Sequence, residues 1–89
     1  MRAIVTVIGR DRVGIIANVS TLLAEYGVNI LDITQTVLQE YFTMIMLADI
    51  SDCSVPFAEL SKTLAKCGEE RSLSIRIQRE DIFEAMHRI

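Results

Sequence analysis

The sequence predicts an α+β sandwich of element order βαββαβ, a four-stranded antiparallel sheet with two helices on one face and a short C-terminal helix beyond it. Three observations carry this expectation. Two stretches of helical period, each followed or closed by a glycine, alternate with four stretches of extended character. Two of those four are apolar almost throughout, as central strands are. The chain has 89 residues, which suits one domain.

Residues 3–8, Ala-Ile-Val-Thr-Val-Ile, are β-branched apart from Ala3 and read as the first strand, with both faces expected to be covered. Gly9-Arg10-Asp11-Arg12 turns the chain. Residues 13–26 read as a helix, because Ile15, Ile16, Val19, Leu22, Leu23 and Tyr26 fall on one face. Asp11 or Arg12 stands near its N-cap, and Gly27 supplies the left-handed residue that ends it. Residues 29–39 read as a long strand, Glu40-Tyr41 as the hairpin turn, and 42–50 as a strand apolar on both faces. Asp52-Cys53-Ser54 opens the second helix, and Pro56 fits its first turn. Phe57, Leu60, Leu64 and Cys67 share a face, and Gly68 marks the end. Residues 73–79 alternate Leu73, Ile75 and Ile77 with Ser74, Arg76 and Gln78, a strand buried on one side. Residues 80–89 place Ile82, Phe83, Met86 and Ile89 on one helical face, too short a helix to stand undocked.

Two right-handed βαβ halves of this kind give a ferredoxin-like sheet in which the first and third strands are central. The two helices cover one face. The other keeps apolar side chains from the central strands, a patch that a soluble monomer seldom leaves wet. A homodimer is therefore expected. Residues 1–80 form the domain, and 81–89 form a helix packing on that domain or on the dimer partner.

Composition narrows the function. The formal net charge of −3 argues against general nucleic-acid binding, which wants a basic stripe. No apolar run nears the roughly 20 residues that cross a bilayer. Neither a signal-peptide pattern nor a cysteine framework is present, so the cytoplasm and reduced thiols are expected for Cys53 and Cys67. With His87 these cysteines make too few soft ligands for zinc, and Met44 and Met46 read as core, so no metal and no cofactor are expected. No catalytic residues are assigned either. His87 is the sole histidine, and no pair of carboxylates announces an acid–base couple.

The stretch Gly9-Arg10-Asp11-Arg12-Val13-Gly14-Ile15 leaves a strand and enters a helix. Free amides at a helix start favour an anion, and Arg10 or Arg12 could add charge-assisted bonds of about 1.5–3 kcal/mol each. Gly14 fits either close approach of a ligand or close approach of a neighbouring strand. Asn29, expected beside the start of the first helix, offers a donor and an acceptor. It also suits a turn asparagine bonding its own backbone. Gly9 and Gly14 have half of a P-loop spacing, but Ile15-Ile16 stands where Lys-Ser/Thr is needed.

Gly9 through Ile30, with the acidic-basic turn before Gly14, the Leu22-Leu23 pair and Gly27-Val28-Asn29-Ile30, resembles the ACT-domain signature. The resemblance extends over the whole chain and is strongest to short stand-alone ACT proteins with a C-terminal helix. It implies a regulatory module, not an enzyme, that binds an amino acid or similar small carboxylate at a homodimer interface. Carried onto this chain, the contacts are Asp11, Arg12, Val13, Gly14 and Ile15, with Asn29 and Ile30 opposite. Gly9 replaces a histidine of some serine-binding members, and Val13 a proline of many, so the ligand's identity stays open. A metabolic enzyme or regulator is the implied partner; nucleic acid and membrane are not. Two alternatives stand beside this one. A ligand-free interaction module would act on a separate enzyme. An acylphosphatase-like enzyme would use Arg12 and Asn29. An RNA-binding RRM, of the same topology, would need stacking aromatics that the first strand lacks.

Overall fold

The computed structural model describes residues 1–10 and 14–81. Its elements are β1 (Arg2–Gly9), α1 (Ile15–Glu25), β2 (Asn29–Leu38), β3 (Tyr41–Asp49), α2 (Phe57–Glu70) and β4 (Ser74–Arg79). The strands lie in the order β2-β3-β1-β4 with every pairing antiparallel, so β1 and β3 are central as expected. The expected tail helix falls almost wholly on residues 82–89, outside the described residues.

Alternation decides which side chains enter the core. Ala3, Val5 and Val7 of β1 stand beside Ala48, Met46 and Met44 of β3, and Ile75 and Ile77 of β4 complete the layer. Ile15, Val19 and Leu23 of α1 and Leu60 and Leu64 of α2 close over them. Met44 and Met46 are fully buried core residues.

Among the described residues, helices cover β1 and β3 on one face only. The face away from the helices carries, in rows across the sheet, Gln78–Ile4–Leu47–Asp32, then Arg76–Thr6–Ile45–Thr34, then Ser74–Ile8–Thr43–Thr36. Its centre is apolar and partly open, with Ile8 45% and Ile45 43% exposed, and polar residues of β2 and β4 flank it.

Both helices end in the same way. At the end of α1 the Val28 amide donates to the Leu23 carbonyl at 3.0 Å and the Gly27 amide to Ala24 at 3.0 Å, with Gly27 at φ +77°. At the end of α2 the Leu73 amide donates to Gly68 at 2.7 Å and the Ser72 amide to Glu69 at 3.4 Å, with Ser72 at φ +58°. These are paired Schellman closures. Gly68 therefore does not end α2, as its type suggested; it lies one turn inside. A Cβ there would stand 2.7 Å from the Leu73 carbonyl oxygen, so the glycine lets α2 close on the chain returning to β4. Gly27 is doubly constrained, since its Cβ would also stand 2.6 Å from the Asp52 carbonyl oxygen. The neighbouring bond from the Ser54 amide to the Tyr26 carbonyl, 2.8 Å, ties the α1–β2 turn to the β3–α2 loop.

Two boundaries shift for local reasons. Pro56 is the N-cap of α2 in extended conformation rather than a residue of its first turn. The β2–β3 hairpin turns on Gln39-Glu40, one residue earlier than expected, with Gln39 at φ +53° and Leu38 paired with Tyr41. Tyr41 joins β3 because the aromatic ring fits a pleated surface and stacks with Arg10, whose Cζ lies 5.7 Å from the ring centroid.

Ser72 adopts a conformation that disfavours a β-carbon, so Ser72→Gly is expected to stabilise the fold by about 1 kcal/mol. Gly27→Ala is expected to destabilise it by more than that, because strain and collision add. Urea denaturation of both variants checks the opposite signs.

Candidate functional site

The β1–α1 connection is where the sequence places its ligand loop. Asp11, Arg12 and Val13 lie outside the described residues. Gly14, Ile15, Asn29 and Ile30 can be placed. Gly14 is the N-cap of α1, not a residue inside its first turn, and its φ of +76° is left-handed. It makes no side-chain cap, and its carbonyl accepts from the Asn18 amide at 2.9 Å. The nearest atom to a hypothetical Cβ is the Asn18 side-chain nitrogen at 3.5 Å. Among the described residues no strand presses on this glycine; its backbone conformation demands the residue.

Ile15 is buried at 3% exposure and anchors the first turn of α1 to the core, so it holds the loop rather than offering it a side chain. Gly9, at the other end of the connection, meets Leu73: a Cβ there would collide with the Leu73 side chain. A larger residue at Gly9 would require Leu73 to move.

Asn29 and Ile30 are not beside the start of α1. Asn29 pairs with Asp49, which pairs with Arg2 at the opposite end of β1 from Gly9. The row that contains Gly9 continues through Phe42 to Val37. From Asn29 to Val37 the strand extends about 25 Å, and α1 itself is about 16 Å long. The expected adjacency fails because β2 follows the C-terminus of α1, while the loop precedes its N-terminus. Asn29 is exposed and Ile30 half-buried.

The start of β2 nevertheless sits in a polar cluster. The Met1 amine lies 3.7 Å from Asp49 Oδ1 and donates to Ser51 Oγ at 2.5 Å. The Ser51 amide donates to Asp49 Oδ1 at 2.9 Å. The Ser51 hydroxyl first, then the Ser51 amide, hold the Asp49 carboxyl below its ordinary pKa, with a smaller contribution from the amine. Near the loop end stands a pair that the sequence pattern does not signal: Arg10 over Tyr41, both exposed and next to Leu38. A Tyr41 placed in the turn would not stand there.

A hollow of about 700 Å³ is at neither place. It runs around the β4 edge of the sheet, from Ile4, Thr6, Ile8, Arg76 and Gln78 on the open face to Ser61 and Ala65 of α2 on the other. A smaller one of about 300 Å³ lies between the helices beside Asn18, Thr21, Cys67 and Arg71. Both thiols are free. Among the described residues no group of three His, Cys, Asp or Glu side chains could hold a metal ion, and no helix is long and apolar enough to cross a membrane.

Residues 2–78 match the family model of the ACT domain. A UPF0237 protein of Clostridium acetobutylicum is 55% identical over 89 residues, all of both chains. An ACT domain protein from Streptococcus pneumoniae has 47% identity, a TM-score of 0.84 and 98% of each chain covered. A structure named for a glycine cleavage system transcriptional repressor has 28% identity and a TM-score of 0.72; the match covers 88% of this chain and 44% of that one.

Because the Asp49 carboxyl titrates below its ordinary value in the folded chain, its contribution is complete above about pH 4 and is lost as pH falls through the folded value. Asp49→Asn should therefore give a shallower acid limb than the parent. Urea midpoints measured from pH 7 to pH 2 test this.

Proposed function

The chain belongs to the ACT-domain family, and on that premise we propose that it is a regulatory module binding an amino acid or similar small carboxylate between two copies of itself. ACT domains are regulatory small-ligand modules that commonly dimerise. The finer reading rests on one observation. The loop before α1 and the start of β2 lie at opposite ends of one chain, so only a second copy can bring them together.

Symmetry supplies a way. The helix α1 packs on the β2 side of the sheet, and β2 is an edge strand with Leu31, Val37 and Leu38 exposed at 47%, 49% and 69%. A two-fold axis near the middle of β2 would run the partner's β2 antiparallel to this one. Asn29 and Ile30 of the partner subunit would then lie at the end where residues 11–15 enter α1. The loop amides and Arg12 would take the carboxylate, and the Asn29 side chain would take the amino group or a second polar atom. Gly14 would put no side chain of its own against such a ligand.

This arrangement separates the regulatory reading from the acylphosphatase-like one. An enzyme of that kind needs its loop arginine and its asparagine in one chain, where the topology holds their ends of α1 apart. In a binding module the two can come from different chains. The controlled target, an enzyme or a regulator, would respond to the ligand through the dimer. The repressor similarity, which belongs to a protein named for transcriptional control, favours control over catalysis.

Titration calorimetry against the twenty amino acids is expected to find one or a few that bind and raise the melting temperature. Asn29→Ala should weaken that binding about tenfold, equivalent to about 1.4 kcal/mol, and Gly14→Val should abolish it. Light scattering should give a dimer at micromolar concentration. A folded monomer that ignores all twenty would overturn the reading.

A further inference from the structure

The two edges of the sheet are built differently. Among the described residues β4 pairs with β1 alone, and its register runs unbroken from Ile8–Ser74 to Ala3–Arg79. The other edge, β2, has its register interrupted between Ile30 and Asp32. A straight edge keeps a row of outward N–H and C=O groups, spaced to accept another strand, and a bulge or a proline is the usual guard against that. β4 has neither. The 700 Å³ hollow flanks this edge. It runs from Ile4 and Thr6 on the open face, around Arg76 and Ile77, to Ser61 and Ala65 of α2. A fifth strand would lie there, about 4.8 Å outside β4. Ser61 and Ala65, both short, bound that space on the helix side.

Charge selects the occupant. Alternation puts Arg76 on the open side between Ser74 and Gln78, exposed to water. Among the described residues it forms no ion pair, whereas Arg2 holds Glu80 at 2.8 Å and Arg79 holds Asp81 at 3.4 Å. We propose that β4 is a docking edge for an extended segment of another protein. The segment adds as a fifth strand, with a carboxylate side chain opposite Arg76 and small apolar side chains facing Ser61 and Ala65. Backbone hydrogen bonds hold it, and its alternate side chains decide which segment fits. A second copy of this chain is the poorer occupant. β4 has two arginines and no acidic residue, so pairing it with its own copy leaves Arg76 without a carboxylate, and Glu80 and Asp81 beyond it are already held. Pairing β4 with the β2 of a copy is head-to-tail and consumes the edge that the two-copy site needs. The docking edge lies across the sheet from β2, so a bound strand and a second copy at β2 do not compete. This goes beyond the regulatory reading: it gives such a module a way to hold its target, and it stands without any small ligand.

The unmodified chain, isotope-labelled for amide spectra, can be titrated with the synthetic peptide acetyl-Thr-Val-Glu-Val-Thr-amide, which reads the same in both strand directions. Amide shifts are expected along Ser74–Arg79 and at Ser61 and Ala65, with a Kd of roughly 1 mM for a peptide this short. The same peptide with Lys in place of Glu should bind about fivefold more weakly, because an attractive cross-strand pair becomes a repulsive one. Arg76→Glu should reverse that preference. Equal affinity for the two peptides would overturn the proposal, since Arg76 would then select nothing. Shifts along β2 instead, or none on β4 at about 5 mM peptide, several times that Kd, would overturn it too. Protection of the β4 amides that rises with protein concentration, without peptide, would assign the edge to a second copy and overturn it as well. None of these measurements uses an amino-acid ligand, so failure here and failure of the binding reading are distinguishable.

Discussion

One-sided burial of β1 and β3 is the constraint on which the rest of the molecule depends. Their alternate residues fill the space beneath α1 and α2, with Val5, Val7, Met44 and Met46 removed entirely from water. At about 1.5–3 kcal/mol for each fully buried side chain, this layer carries much of the stability of a chain this small. The same alternation points Ile4, Ile8, Ile45 and Leu47 to the other side. The two described helices, both on one face, cannot bury both sets. The strands that make the core good are therefore the strands that leave apolar surface over.

The second consequence concerns the site. A βα unit places the entry and the exit of its helix at opposite ends of the sheet, because the helix runs back along the strand it follows. Residues before α1 and residues after it cannot meet in one chain, whatever their chemistry. Gly14 and Asn29 are each unremarkable alone: a left-handed cap and an exposed residue in a polar corner. On the proposed reading they would become a site only when symmetry reverses one chain against the other. Communication between ligand and quaternary structure would then need no moving part, since the ligand would touch both halves.

Much of this is legible in the sequence. Periodicity locates all six described elements, and the oiliness of residues 3–8 and 42–50 identifies the central strands. The misses share a cause. Gly68 looks like a helix stop, yet the stop is Ser72, because a tight approach to the Leu73 carbonyl occupies the glycine one turn earlier. Gln39 turns the hairpin although glutamine has no taste for positive φ, so residue preference alone puts the turn one position late, on Tyr41. The placement of Asn29 fails for a different reason. Element order suggests proximity, but the direction in which α1 runs forbids it. Local residue preferences find elements well; close contacts and chain direction are properties of the assembled sheet.

The surplus on the open face can be weighed against the cost of covering it. Ile8 and Ile45 are each a little under half exposed, so drying both would return only about 1–3 kcal/mol. Association of two folded copies costs at least about 4 kcal/mol in lost rigid-body freedom. These two side chains therefore cannot hold a second copy against the open face by themselves. The β2 edge, where Leu31, Val37 and Leu38 stand exposed, offers more apolar surface to an association.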